Sequence, residues 1–106
     1  MYYKIVLKEG DHIRTLFHGI NGSRILPFNK WIVGIKKMVK DASKSNTYLS
    51  GIHVFKFKTI ATKYLKRFRT EKDRIIIRCF ATGLRNKPSN IEVLLADQIF
   101  IPKQNI

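Results

Sequence analysis

Three side chains sit where strands should end or centre and carry groups able to do chemistry: His18, His53 and Glu92. Histidine exchanges a proton near neutral pH and can donate a hydrogen bond from its ring. A carboxylate can stabilise a developing positive charge and orient an attacking group. Each residue also has a plain structural reading. His18 precedes Gly19 and suits the opening of a turn; His53 lies on an apolar strand face and suits a hydrogen-bonded core histidine; Glu92 suits the solvent side of a strand. A second constellation interleaves basic and aromatic residues: Phe28, Lys30 and Trp31; Phe55, Lys56, Phe57 and Lys58; Tyr64, Lys66, Arg67, Phe68 and Arg69. Lysine and arginine meet backbone phosphates, and exposed aromatic rings stack on bases. Trp31, Phe55, Tyr64 and Phe68 fall on stripes expected to face a core, so charge rather than stacking carries this reading.

The charge is unevenly placed. The 106 residues hold 21 Lys and Arg against seven Asp and Glu, a net charge of +14. Residues 24–87 contain seventeen of the basic and three of the acidic residues, so the excess sits in the middle of the chain. A one-sided excess is the footprint of a surface for a polyanion; its alternative is a solvated surface that keeps the chain soluble. The single cysteine, Cys79, rules out an internal disulfide and lies in an apolar run as a buried structural thiol, which suits a reducing, cytoplasmic compartment. No His/Cys spacing suggests a metal, no apolar run reaches membrane-spanning length, and Glu9 and Asp11 interrupt the start as a signal peptide. Glycine-rich phosphate loops and a helix-turn-helix pattern are missing, and Ser23 and Ser50 have no triad neighbours.

The elements that must position these groups follow from hydrophobic period. Residues 2–7 and 12–18 alternate and predict an antiparallel hairpin around Gly10. Residues 31–42 predict a helix: Trp31, Ile35, Met38, Val39 and Ala42 form one stripe, Lys36, Lys37 and Lys40 lie off it, and Asn29 is the N-cap. Gly34 costs that helix about 1 kcal/mol, which suggests a close approach there. Residues 48–68 switch from period two, through Val54, Phe55 and Phe57, to helical spacing through Ile60, Ala61, Tyr64, Leu65 and Phe68. Residues 74–81 read as a central strand, 83–90 as a loop, and 91–95 and 98–102 as short strands. The expected fold is one α+β domain, an antiparallel-rich sheet of about five or six strands with two short helices.

Three short stretches resemble one family. Leu16-Phe17-His18-Gly19 looks like the first-strand motif of the ADP-ribosyltransferases. Gly51-Ile52-His53-Val54-Phe55, with Ala61 and Tyr64, resembles the strand and helix of the poly(ADP-ribose) polymerase branch, with His53 where that branch has tyrosine; the RNA 2′-phosphotransferases place a histidine in a similar strand. Glu92-Val93-Leu94-Leu95 is similar to the strand with the family's catalytic glutamate. The resemblance implies an ADP-ribosyltransferase-like core and a minimal NAD-dependent transferase. His18 would hold the nicotinamide ribose, His53 stack on a ring or bind a phosphate, and Glu92 stabilise the cation; Arg14, Arg24 or Lys56 would meet the pyrophosphate. Ile20 and Asn90 depart from the family pattern. A second resemblance, through residues 47–56, 93–97 and 99–102, is to small uncharacterised bacteriophage proteins. It implies a basic accessory protein that interferes with a host nucleic-acid system such as a CRISPR complex.

Two functions are therefore expected. The first is binding of RNA, DNA or a nucleoprotein through Arg24, Lys36, Lys37, Lys40, Lys56, Lys58, Lys63, Lys66, Arg67 and Arg69, with no cofactor and no membrane partner. If both helices cover one sheet face, their outer sides form one positive surface. The alternative is the NAD-dependent enzyme built on His18, His53 and Glu92. An inhibitor directed purely at an acidic patch on a protein is a third reading.

Overall fold

Alternation of apolar side chains builds the first hairpin where the sequence predicts it, with a second strand of three residues in place of the expected 12–18, of which 17 and 18 lie outside the described residues. In the computed structural model, which describes residues 1–16, 24–40, 47–67, 73–88 and 90–106, β1 (Tyr2–Glu9) turns at Gly10, at φ 60°, into β2 (His12–Arg14). The pairing sets Leu7 opposite Arg14 and Glu9 opposite His12. A two-residue strand, β3 (Ile25–Leu26), pairs antiparallel with β2.

The helix expected over residues 31–42 does not form. Its place is taken by β4 (Trp31–Val33) and β5 (Met38–Lys40). Ile32, Val33, Ile35 and Val39 are β-branched and lose rotamer freedom in a helix, and Gly34 weakens one further. The stripe chosen for a core does not bury either: Trp31, Ile35 and Met38 remain 50%, 43% and 62% exposed, while Ile32 is 5% exposed. Gly34 does serve a close approach, but between strands; a Cβ there would lie 2.9 Å from Cγ1 of Ile52. Asn29 caps nothing. It turns the chain at φ 59°, its N–H donates to the carbonyl of Ile101 at 2.8 Å, and its Oδ1 accepts from the N–H of Lys103 at 3.0 Å.

Beyond this the chain runs through β6 (Thr47–Leu49), which pairs with β5, and β7 (Ile52–Val54) into the single helix of the described residues, α1 (Lys58–Leu65). Then come β8 (Arg74–Thr82), β9 (Arg85–Lys87), β10 (Asn90–Ala96) and β11 (Gln98–Phe100). Part of the loop expected over 83–90 is thus strand β9, paired with β10. The fold is mostly β, not α+β with two helices: a six-stranded antiparallel sheet ordered β3-β2-β1-β8-β11-β4, a three-stranded sheet β7-β10-β9, and the β5-β6 ribbon.

The two larger sheets join into a nearly closed ring. β10 runs into β11 through one residue, Asp97, whose N–H donates to the carbonyl of Thr82 at 2.9 Å. At the other end Phe55, just past β7, exchanges two backbone hydrogen bonds of 2.8 and 2.7 Å with Tyr3 of β1. β1, β8, the bent β10–β11 strand and β7 thereby follow one another around a small barrel. Closure satisfies backbone groups that open edges would leave bare.

Strand alternation divides β1 and β8 between two cores. Val6, Ile77 and Cys79 point inward with Ile13, Val54, Ala96, Ile99 and Ile101. Ile5, on the opposite face, packs with Phe55, Ala61 and Val93, and α1 covers this second core through Ile60, Tyr64 and Leu65. Of the helical stripe read from the sequence, Ile60, Ala61, Tyr64 and Leu65 face this core, and Phe68 lies outside the described residues.

Candidate nucleic-acid interface

β10 carries Glu92 past a register shift against β9 between Asn90 and Leu94. The shift brings Glu92 into an open groove of about 550 Å³, walled by Tyr2, Lys56, Phe57, Arg85 and Asn86. Its backbone N–H donates to Oδ1 of Asn90 at 3.1 Å, Asn90 Nδ2 donates to the Tyr64 hydroxyl, and Glu92 Oε2 is buried without a hydrogen bond. His53 does not line this groove. It pairs with Leu95, three positions from Glu92, and Val93 and Leu95 are buried while Glu92 and Leu94 line the groove. The register shift around Glu92 leaves it in the groove with its neighbour Ile91 and with Leu94, away from His53. His18 lies outside the described residues.

His53 is held neutral. Burial, with the positive charges of Lys4 and Lys87 adding to it, pushes its imidazole down to about 4. Its carbonyl accepts from the Lys4 ammonium at 3.0 Å. Lys4 shares its strand face with Tyr2 and Val6, is 8% exposed, and is pushed down to about 8 by burial. Burial pushes the Cys79 thiol up to about 11, as for an inert structural cysteine. An imidazole neutral at pH 7 offers a phosphate no charge.

The corner at Asp97 gathers several connections. Its carboxylate takes an ion pair from Arg85 and another from Lys36 at 3.4 Å, and the Arg85 hydrogen bond, ahead of the charges, holds it below the usual carboxylate range. Arg85 also donates to the carbonyl of Ser50 at 2.9 Å. Ser50 Oγ donates to the carbonyl of Ile35 at 2.9 Å and accepts from the N–H of Lys37 at 2.9 Å. Gly83, at φ 65°, lies against this carboxylate, which any Cβ would strike. Lys36, expected to face a phosphate, is engaged here instead.

The other expected phosphate contacts divide by place. Lys56, Lys58, Lys63, Lys66 and Arg67 are exposed on or beside α1, and among the described residues none pairs with a carboxylate. Arg67 lies 4.4 Å over the ring of Tyr64 and Lys56 5.7 Å over that of Phe57. Lys37 and Lys40 are exposed on the β5 segment, so a surface made by two helices is replaced by one helix and a strand ribbon. Arg24 is exposed beside β3, its N–H bonded to Thr15 Oγ1 at 2.9 Å; Arg69 lies outside the described residues.

One feature is not foreseen from the sequence. Phe80, Phe100 and Trp31 stand directly opposite one another on β8, β11 and β4. Their ring centroids are 6.3 and 5.6 Å apart, the rings tilted by 51° and 55°. Phe80 is 47% exposed and Trp31 50%. Phe55 and Tyr64 are core residues as expected, but Trp31 is not; Phe68 lies outside the described residues. Residues 31–33 taken at period two would have set Trp31 and Val33 outward and Ile32 inward. The comparisons with protein-family models, curated proteins and solved structures give no match, so the functional reading rests on these residues.

Proposed function

We propose that this protein is a binding module for nucleic acid or a nucleoprotein, engaged through exposed lysine and arginine side chains. The observation that carries it is the group Lys56, Lys58, Lys63, Lys66 and Arg67, exposed around one eight-residue helix with no carboxylate paired to them among the described residues. A net charge of +14 supports the same reading. Phosphates bound by such a cluster release counterions, which favours binding at low salt. Lys58 and Lys63 sit on this helix and Lys56, Lys66 and Arg67 flank it, and the fully buried Ala61 anchors it to the core.

The setting proposed is a small accessory protein of a phage, acting in the cytoplasm on a host nucleic-acid system such as a CRISPR complex. The likeness of residues 47–56 to phage proteins supports it. No helix of the described residues is long and apolar enough to cross a membrane.

Reversing Lys63, Lys66 and Arg67 together to Glu tests the binding reading. These residues are exposed, so the variant keeps its fold by circular dichroism. Its affinity for a labelled oligonucleotide at low salt should fall at least tenfold. Equal binding by parent and variant, or no binding by either, overturns the proposal.

A further inference from the structure

We propose that Phe80, Phe100 and Trp31 form a platform on which the unpaired bases of single-stranded nucleic acid stack. The inference rests on the nucleic-acid reading and names the part of the molecule that touches the bases.

The three rings come from strands adjacent in the sheet, so the sheet fixes their spacing. Two inter-strand intervals span about 10 Å, room for two or three bases laid across the row. The covering of this sheet face explains the exposure of Phe80. Tyr3 stands opposite Arg78 and packs in the core beneath α1, together with Ile76. One face of β8 therefore reads Ile76 beneath the helix, then Arg78, then Phe80, the last two exposed. The helix stops short, and the aromatic row begins beyond it.

Charge selects the occupant. Arg78 lies between the helix-covered core and Phe80, and its backbone is locked by two 2.9 Å hydrogen bonds with the side chain of Gln104. Lys30, exposed, precedes Trp31, and Lys103, also exposed, stands 4.5 Å over the ring of Phe28. The carboxylate at this end of the sheet, Asp97, is already paired with Arg85 and Lys36. An aromatic row with Arg78 on the same strand face and Lys30 next to Trp31, neither paired with a carboxylate among the described residues, matches a chain with flat apolar bases and one phosphate per base. Paired bases in a duplex keep their faces stacked on one another, which selects a single strand. A second copy of this chain, itself carrying a net charge of +14, would bring like charge to the row.

Trp31 is the chain's single tryptophan, so its emission reports the platform directly. The full chain is titrated at low salt with twelve-nucleotide single strands of RNA and of DNA and with a duplex of equal length. Tryptophan fluorescence and the anisotropy of the labelled oligonucleotides are read together. A single strand should quench Trp31 and bind more tightly than the duplex, and the RNA and DNA arms tell which sugar is preferred. Trp31→Ala and Phe80→Ala, both at exposed positions, should each weaken single-strand binding about tenfold and leave duplex binding unchanged. Binding with unchanged Trp31 emission and with both variants equal to the parent overturns the platform while leaving the charge reading intact. No binding of any oligonucleotide overturns both. Self-association that Trp31→Ala abolishes and that a single strand fails to compete with assigns the face to a second copy and overturns the proposal.

Discussion

One face of the β1–β8 pair meets two different surroundings. Under α1, Ile5, Phe55, Ala61 and Val93 are at most 6% exposed and form a closed core. Farther along, where β8 meets β11 and β11 meets β4, three aromatic rings form an equally apolar row whose outer members, Phe80 and Trp31, stay about half exposed. Both regions are built from large apolar side chains on paired strands; only one is sealed. Burial stabilises the fold in the first. In the second the outer rings stay about half exposed, which fits the contact surface proposed above.

Substitutions that break the comparison should differ by several-fold in effect. Phe55→Ala removes a ring that is 6% exposed and tilted against Tyr64 at 5.0 Å. It should cost about 3–4 kcal/mol in urea denaturation, the usual range for a buried phenylalanine. Phe80→Ala, the same change on the open row, should cost less than about 1 kcal/mol. Equal costs would mean that the row is part of the core and the distinction false.

The pH dependence of stability sharpens the contrast, because the strongly shifted groups are interior ones. An unfolded His53 takes up its proton near 6.5 and the folded one only near 4, so acid favours unfolding across that window. The loss should reach no more than about 3 kcal/mol. An unfolded Lys4 keeps its proton to near 10.5 and the folded one releases it near 8, so stability should rise again above pH 8. From about pH 9 the thiol opposes that gain, since unfolded Cys79 ionises near 9 and the folded one near 11. Thermal unfolding from pH 4 to 9 reads both windows. His53→Gln should flatten the acid limb, and a limb unchanged by that substitution would place its cause elsewhere. The smallest expected effect is on binding between pH 6.5 and 7.5, where the aromatic row has nothing to titrate; single-strand affinity should stay constant there.

Much of the first core was legible in the sequence. The hairpin of β1 and β2, the strand-to-helix switch into α1, the buried Cys79 and the central place of β8 follow from period and composition alone. Residues 31–40 were not. Strands of three residues are too short to declare period two, and Trp31, Ile35, Met38 and Val39 happen to fall at helical spacing too. The aromatic row was invisible for a deeper reason. Residues 31, 80 and 100 meet only through strand pairing, and no local pattern encodes which strands become neighbours. The placement of His53 and Glu92 likewise needed register, because a single step along a strand moves a side chain to the other face. Lys36 was read as a free cation because nothing in the sequence brings Asp97 to it.

The central claim is that the cations around α1, unpaired with carboxylates among the described residues, bind a phosphate chain, and the salt dependence of single-strand affinity tests it most directly. With about three to five phosphates engaged, the logarithm of the association constant should fall linearly with the logarithm of salt, with a slope of about −2 to −3.5. The Lys63, Lys66 and Arg67 reversal should make that slope shallower by about 2. A flat response in the parent, or an identical slope in the variant, would contradict the account.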